Sequence, residues 1–283
     1  MLTQIDLLKK YPIPIRGHVG QHLLIDPNLQ RKTVDLLELK PSDSVLEIGP
    51  GLGALTQHLL GRCKRLVAIE KDPQFVAVLQ KEFPEFSSAP PVMRLICDNI
   101  LDFDFKKLNS ASSRSPWKVI SNLPYYITAP ILFHLLERRT LFSKMVFTMQ
   151  KEVADRILAS PGAKDYGRLT LALRYAVTAR HAFDIPPSCF TPRPAVASSV
   201  LILEINPEKN LLKPAQEKQL FHLIQVAFSR RRKMFLSLLA ADSATGKDRE
   251  ELRGIFERCG IGVTARGEEL MLKDYLHLMQ HIE

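Results

Sequence analysis

Short apolar runs rich in β-branched residues alternate with stretches of helical spacing along the first half of the chain. Five of these runs have the length and composition of buried strands. They are Ser44–Ile48, Arg65–Ile69, Pro91–Ile96, Trp117–Ser121 and Lys144–Met149. Because strands that alternate with helices build parallel βαβ units, the pattern predicts an α/β fold with a mostly parallel sheet.

The starts of three helices are marked by residues that favour the first helical turn. Asp26-Pro27 and Asp72-Pro73 each place an acceptor side chain before a proline at the first helical position. These pairs predict the helices Pro27–Leu39 and Pro73–Phe83. A third helix is predicted from Thr128 to Arg138.

The second half of the chain has a different pattern. Arg174–Ile185 and Ala197–Ile205 are typical of a late antiparallel strand pair, joined by the proline-rich loop Pro186–Pro194. Beyond residue 206 the apolar residues fall at helical spacing. The helices predicted there are Pro214–Ala241, Asp248–Cys259 and Val263–Ile282. We therefore predict a domain of residues 1–206, which includes an N-terminal arm of residues 1–25, and a small helical domain of residues 207–283.

The composition is that of a folded, basic protein. Hydrophobic residues make up 46% and charged residues 24% of the chain, and the formal net charge is +9. These values exclude an intrinsically disordered chain and suit a polyanionic partner. No apolar run approaches the roughly 20 residues that span a bilayer, and the first residues lack the apolar segment of a secretory signal. We expect a cytoplasmic protein without a membrane partner.

The four cysteines do not have the spacing of a metal site. Cys63, Cys97, Cys189 and Cys259 lie far apart, without C-x-x-C spacing or a nearby pair of histidines. Zinc sites are usually recognised by such spacing. We expect reduced cysteines and no bound metal.

A glycine-rich segment, Glu47-Ile48-Gly49-Pro50-Gly51-Leu52-Gly53, follows the first long strand. Glycines such as Gly49 and Gly51 let the backbone turn tightly and approach a ligand. Glu70 ends the next strand and can accept both hydroxyls of an adenosine ribose, and Asp98 after the third strand suits the exocyclic amine of an adenine. Since the carboxyl ends of parallel strands form the ligand-binding edge of such sheets, this series predicts a nucleotide-like cofactor.

The fourth strand leads into Asn122-Leu123-Pro124-Tyr125. The lone pair of an adenine N6 amine is delocalised into the ring, so an enzyme that methylates it must localise and aim that pair. The Asn122 side-chain oxygen and the Leu123 carbonyl can accept hydrogen bonds from the two N–H groups of this amine. Pro124 favours extended backbone geometry at Leu123. Tyr125 can stack on the base. By itself this segment predicts that an amine is held and a base is stacked at the end of a strand. Its place after Gly49, Glu70 and Asp98 favours methyl transfer to adenine N6.

The motifs together resemble those of the KsgA-type ribosomal RNA adenine N6,N6-dimethyltransferases, over most of the chain. The segments that carry the resemblance are Val19–Leu24, Leu46–Gly51, Asn122–Tyr125, Gln150–Val153, Tyr166–Leu169, Phe190–Pro192 and Ala227-Phe228 with Arg231–Lys233. The implied fold is the Rossmann-like sheet of class I methyltransferases with an antiparallel last strand and a small C-terminal α-helical domain.

The resemblance also implies a cofactor, a substrate and several contacts. The cofactor is S-adenosylmethionine, bound by Gln21, His22, Leu24, Gly49, Glu70, Asp98 and Asn122. Phe190 is expected to sandwich the target adenine opposite Tyr125. The implied substrate is small-subunit rRNA in an immature small ribosomal subunit, dimethylated at two adjacent adenosines near its 3′ end. We expect the enzyme to act as a monomer.

Two places depart from the family pattern. His22 stands where family members usually carry Asn, and Ala195 and Ala197 stand where they usually carry Lys and Asp. Arg193 is a candidate to replace the lost charge as an RNA contact. The basic run predicted to lie in a helix and to contact RNA phosphates is Arg230, Arg231, Arg232 and Lys233.

Three other functions fit part of the pattern. An Erm-type enzyme acting on large-subunit rRNA shares the fold, but Leu123 and the Phe190-Thr191-Pro192 loop favour the small-subunit substrate. A non-catalytic RNA-binding protein of ribosome assembly would not need the complete set of cofactor and acceptor residues. A nicotinamide-dependent oxidoreductase would leave Asn122–Tyr125 unexplained.

Overall fold

The computed structural model describes residues 3–15, 17, 20–87, 93–108, 115–205, 212–230 and 232–282. The start of the predicted strand at Pro91 and the predicted RNA contact Arg231 lie outside these residues. The chain divides into two compact units. The first contains Met1–Ala154 and Thr178–Ile205, and the second contains Asp155–Val177 and Asn206–Glu283. The division at residue 206 that we predicted placed residues 155–177 in the larger domain, whereas their contacts lie with the C-terminal segment.

The first unit is built on two sheets. Its strands are β1 (Leu23–Leu24), β2 (Ser44–Ile48), β3 (Arg65–Glu70), β4 (Met93–Cys97), β5 (Trp117–Asn122), β6 (Phe142–Gln150), β7 (Val177–Ile185), β8 (Phe190–Thr191) and β9 (Ser198–Ile205). Seven strands form one sheet in the order β4-β3-β2-β5-β6-β9-β7. The pairs from β4 to β6 are parallel, and β9 is antiparallel to β6. The predicted mostly parallel α/β sheet is confirmed.

The strands of the sheet centre are buried on both faces. All five residues of β2 are buried, as are five of the six residues of β3. Helices that cross over between parallel strands cover both faces of a sheet, so side chains of either orientation are excluded from water. The binding edge is therefore formed by the loops that leave the carboxyl ends of these strands.

The helices of the first unit are α1 (Gln4–Lys10), α2 (Pro27–Asp35), α3 (Thr56–Leu59), α4 (Pro73–Glu82) and α5 (Thr128–Leu136). Helices α2, α4 and α5 begin where the sequence predicts. The Asp26 carboxylate accepts N–H bonds from Asn28 and Leu29, and the Asp72 carboxylate accepts one from Gln74. Helix α4 ends before Phe83 because Pro84 follows, and a residue before proline is disfavoured in helical geometry.

Helix α1 gives the N-terminal arm a structure that the sequence pattern did not predict. Thr3 and Asp6 form a capping box at its start. Leu7 packs in an apolar cluster with Leu23, Leu52 and Phe75. The arm is thus fixed against the loop that follows β2.

The second unit is helical. Its helices are α7 (Arg168–Ala176), α8 (Pro214–Ala227), α9 (Phe235–Ala240), α10 (Arg249–Arg258) and α11 (Leu272–Ile282), together with the second half of α6 (Lys151–Leu158). Arg174, predicted as the start of a strand, lies in α7, and the strand begins at Val177. Of the predicted helix Val263–Ile282, only α11 is α-helical. None of the described helices is long and apolar enough to cross a membrane.

The predicted helix Pro214–Ala241 is wrong, because two shorter helices, α8 and α9, occupy this stretch. A continuous helix would stack the like charges of residues 230–233 within about one turn, which is unfavourable. The chain instead turns, with the Lys233 N–H donating to the Arg230 carbonyl at 3.0 Å and the Phe235 N–H donating to the Ala265 carbonyl at 2.9 Å. The buried Phe235 ring packs 5.6 Å from the Tyr275 ring, centroid to centroid. Tertiary contacts of Phe235 therefore fix the start of α9.

Candidate active site

The loop after β2 has the geometry for which its glycines are required. Gly49, Gly51 and Gly53 have φ values of 64°, 58° and 80°, a region that favours glycine. A Cβ on Gly53 would lie 2.4 Å from the Phe83 ring, whereas no atom lies within 4 Å of a Cβ placed on Gly49. Gly53 is therefore needed for packing, and Gly49 presents an open backbone face.

Glu70, at the end of β3, is held beside this loop. Its side chain is buried, with one oxygen accepting the Gly51 N–H at 3.0 Å and the other accepting the Asp72 N–H at 2.9 Å. Burial raises the pKa of the Glu70 carboxyl, and the two N–H bonds oppose this rise. The carboxyl is fixed in position and keeps further lone pairs for a ligand.

Asp98 lies next to Glu70 at the same edge of the sheet. The Asp98 N–H donates to the Glu70 carbonyl at 3.0 Å, and the Asp98 carboxylate accepts the Asn99 N–H at 2.8 Å. Two parallel strands thus end with their carboxylates beside the glycine loop. This is the arrangement that the sequence predicted.

A cavity of about 610 Å³ opens at this edge, a volume within the range of small-molecule sites. Four of the predicted cofactor residues line it: Gln21, Gly49, Glu70 and Asp98. The others, His22, Leu24, Gly51 and Asn122, are not among its lining residues. Gly51 orients Glu70, as described above, and the Leu24 side chain is buried in the core.

Asn122 ends β5 and connects to the arm. Its Nδ2 donates to the His22 carbonyl at 2.7 Å, so Oδ1 is the atom of this side chain that can accept from a ligand. The Leu123 N–H donates to the Thr148 carbonyl at 2.9 Å, and the Leu123 side chain is buried. Pro124 is extended, with φ −61° and ψ 126°. The hydrogen bonds of Asn122 and Leu123 and the extended Pro124 therefore fix the backbone where the chain leaves the sheet.

Tyr125 is half-buried between the arm and β9. Its hydroxyl lies 2.5 Å from the Ser198 hydroxyl, and its ring centroid lies 5.0 Å from that of His22. Burial raises the pKa of the Tyr125 hydroxyl, so the ring remains neutral near pH 7. The His22 ring is itself fixed by a contact of 2.6 Å between its Nδ1 and the Pro192 carbonyl.

A second cavity of about 460 Å³ adjoins the first. Its lining includes His22, Tyr125, Gln150 and Arg193, and Tyr126 lines both cavities. Pro124 lines the larger cavity and Tyr125 lines the smaller one, so the chain that leaves β5 borders both spaces. A donor molecule in the larger cavity and an acceptor in the smaller one would meet at the end of β5.

Phe190 is packed in the core of the first unit. Its side chain is 2% exposed and belongs to the main apolar core with Leu24, which is its partner across the β1–β8 pair. Phe190 is not among the lining residues of either cavity. Phe190 is therefore a core residue in this structure, and its contact with a target adenine opposite Tyr125 stays a prediction.

The sequence reasoning missed several residues of this site. Tyr126, which directly follows the recognised tetrapeptide, could have been found from its position. Ser198 reaches the site from β9, and no local pattern marks it. Gln150 lies in the recognised segment Gln150–Val153, but the sequence assigned it no role at the site. Glu47, in the glycine-rich segment, is fully buried and bound by the Thr56 hydroxyl at 2.7 Å, and burial raises its pKa to about 8.

The predicted RNA contacts lie in both units. Arg193 lines the smaller cavity of the first unit. In the second unit, Arg230, Arg232 and Lys233 are exposed in the turn between α8 and α9 rather than in a helix. Their side chains are accessible to a polyanion.

Known proteins resemble this chain in sequence and in fold. Residues 14–277 match the family Ribosomal RNA adenine dimethylase. The Ribosomal RNA small subunit methyltransferase A of Geobacter metallireducens is 37% identical over 266 residues, which are 94% of each chain. A relative of the same name from Halothermothrix orenii is 36% identical over 271 residues, 95% of this chain and 88% of the relative.

Two solved structures share the fold. A dimethyladenosine transferase from Plasmodium falciparum has a TM-score of 0.78 at 24% identity, and the match covers 90% of this chain and 95% of that chain. The 23S rRNA methyltransferase ErmE has a TM-score of 0.67 at 22% identity, covering 92% of this chain and 99% of that chain. The predicted class I methyltransferase fold is confirmed.

Proposed function

Since the chain belongs to the ribosomal RNA adenine dimethylase family, we propose that it methylates N6 of two adjacent adenosines near the 3′ end of small-subunit rRNA. The resemblance that its motifs predicted is thereby confirmed. One observation carries the proposal: Asn122–Tyr125 lies at the end of β5, where the cavity containing Glu70 and Asp98 adjoins a second cavity containing Tyr125.

The larger cavity fits S-adenosylmethionine. Glu70 is positioned to accept the ribose hydroxyls, Asp98 suits the adenine amine, and the open face at Gly49 leaves space for the ligand to lie against the backbone. When bound, S-adenosylmethionine supplies an electrophilic methyl group on a sulfonium. Gln21 adds a polar side chain from the arm to the same cavity.

The smaller cavity accepts the target adenine, flipped out of the RNA. Stacking on Tyr125 is worth roughly 1–3 kcal/mol and offsets part of the cost of unstacking the base. Asn122 Oδ1 and the Leu123 carbonyl accept the two N6 hydrogens, which localises the nitrogen lone pair. The methylated amine then releases its proton to water, so the site needs no strong general base.

The choice of small-subunit rRNA as the substrate is supported by the relatives. Proteins named Ribosomal RNA small subunit methyltransferase A are 34–37% identical to this chain, whereas the 23S rRNA methyltransferase ErmE is 22% identical. We place the enzyme in the cytoplasm, as a monomer acting on immature small subunits. We infer that four basic residues contact RNA phosphates: Arg193, Arg230, Arg232 and Lys233. Their substitution would weaken binding to all RNA sequences alike, because phosphate contacts do not depend on the bases.

Asn122→Ala tests the assignment of the acceptor site. We expect the variant to bind S-adenosylmethionine in calorimetric titration but to lose most methyl transfer to unmethylated small subunits, because one acceptor of the N6 hydrogens is removed. Asn28→Ala, at an exposed asparagine of α2, is the matched control and should keep full activity. Undiminished methylation by Asn122→Ala would refute the assignment. Failure of the unmodified protein to bind S-adenosylmethionine would favour a non-catalytic assembly protein instead.

A further inference from the structure

A cluster of one cysteine and two histidines lies in the second unit, in residues to which the proposed methyl transfer gives no role. Cys259 caps the C-terminus of α10, and His277 and His281 lie on α11. The Cys259 sulfur and one ring nitrogen of each histidine all lie within 4.8 Å of one another. Thiolate and imidazole are the ligands that zinc prefers in proteins.

The geometry of the two histidines follows from their spacing. Residues four apart lie on the same face of an α-helix, so both rings project toward Cys259 from successive turns. The ring centroids are 4.8 Å apart and the ring planes are 80° to each other. His281 Nδ1 lies 3.0 Å from the His277 carbonyl, which leaves Nε2 as the nitrogen to bind a metal. A hydrogen bond of this kind fixes the tautomer and orientation of a metal-binding histidine.

The surroundings favour a cation and allow it to enter. Cys259 follows the last residue of α10, and His281 lies in the last turn of α11, so the negative ends of two helix dipoles lie at the cluster. His277 is exposed, and Cys259 and His281 are half-buried. A metal ion can therefore reach the cluster from solvent, and water can occupy a remaining coordination position.

We propose that Cys259, His277 and His281 bind one Zn²⁺ ion, with water as the fourth ligand. In a tetrahedral zinc site with bonds of about 2.0–2.3 Å, the ligand atoms lie roughly 3.3–3.6 Å apart. The three atoms, now within 4.8 Å of one another, would therefore move closer by up to roughly 1.5 Å, a change within reach of side-chain rotation. The thiol proton of Cys259 passes to water when the sulfur binds. The ion joins the end of α10 to α11 and stabilises this unit. Our expectation of no metal rested on the lack of C-x-x-C spacing and of a histidine pair near a cysteine in the sequence. The pair His277 and His281 lies 18 and 22 residues beyond Cys259, and the fold brings it to the thiol.

Cobalt substitution tests the site directly. The full chain, produced without a polyhistidine tag, is titrated with Co²⁺ and followed by absorption. We expect one Co²⁺ per chain, with a sulfur-to-cobalt charge-transfer band and the strong visible bands of tetrahedral coordination, and both should disappear when Zn²⁺ is added. Cys259→Ser should remove the charge-transfer band. Cys259→Ser and His277→Ala should each weaken Zn²⁺ binding by about 100-fold or more. Loss of a residue that only hydrogen-bonds to a metal ligand already lowers metal affinity roughly 10–100-fold, and loss of a ligand should cost more.

Matched controls separate this site from non-specific binding. Cys97→Ser and His181→Ala replace an exposed cysteine and an exposed histidine of the first unit and should leave the spectrum unchanged. Zinc should also raise the melting temperature of the unmodified protein but not that of His277→Ala, whose replaced side chain is exposed and not needed for folding. Absence of a tetrahedral cobalt spectrum, or an unchanged spectrum in Cys259→Ser, would overturn the proposal.

Discussion

Replacing Phe190 by alanine is expected to destabilise the fold more than it impairs methyl transfer by the folded protein. The ring is 2% exposed and packs in the main core beside Leu24. Removing a buried phenylalanine side chain costs about 3–5 kcal/mol, because apolar contacts are lost and a cavity remains. A ring that stacked on the substrate would show the opposite pattern, with a small loss of stability and a large loss of activity.

The two effects of Phe190→Ala can be measured separately. Urea unfolding gives the change in the free energy of unfolding, and kcat/KM for unmethylated small subunits is normalised to the folded fraction. Phe133→Ala is the matched control, because Phe133 is 37% exposed on α5 and its removal should change the free energy of unfolding by less than that of Phe190. A destabilisation below about 1 kcal/mol together with a loss of kcat/KM above 100-fold would refute the core assignment and favour the predicted sandwich.

Two further predictions concern residues of the site. Tyr125→Ala should lower kcat/KM for methyl transfer roughly 5- to 150-fold, which corresponds to the loss of about 1–3 kcal/mol of base stacking. Tyr125→Phe keeps the ring and should keep most activity. Equal losses of methyl transfer in both variants would exclude stacking as the role of the ring. Glu47 has a pKa of about 8 in the folded protein and an ordinary value of 4.5, so the unfolded carboxyl ionises first and stability falls as the pH rises from 4.5 to 8. Each pH unit in that window lowers the free energy of unfolding by up to about 1.4 kcal/mol. Glu47→Gln should therefore flatten the dependence of melting temperature on pH. The same slope in both proteins would contradict this.

Much of the fold could be predicted because its signals are local. The strands β2, β3 and β5 are short runs of mostly buried residues, and Asp26-Pro27 and Asp72-Pro73 mark helix starts by their own side chains. The break between α8 and α9 was missed because it depends on the packing of Phe235 against distant residues such as Tyr275. Helical periodicity continues through such a break, so the pattern alone cannot reveal it.

The residues of the site likewise fall into those that local sequence signals could predict and those that depend on long-range contacts. Glu70 and Asp98 could be placed because parallel strands deliver their ends to one edge of the sheet. The position of His22 depends on contacts with Asn122 and Pro192, and the burial of Phe190 depends on the pairing of two very short strands. These contacts join segments far apart in the chain and leave no periodic signal.

Methyl transfer to small ribosomal subunits that lack the modification tests the central claim most directly. The purified protein is incubated with radiolabelled S-adenosylmethionine and unmethylated small subunits, and the labelled nucleotides are mapped. We predict label on N6 of two adjacent adenosines near the 3′ end of the small-subunit rRNA, as dimethyladenosine. Label confined to large-subunit rRNA in a parallel reaction, or no transfer to either subunit, would contradict the account.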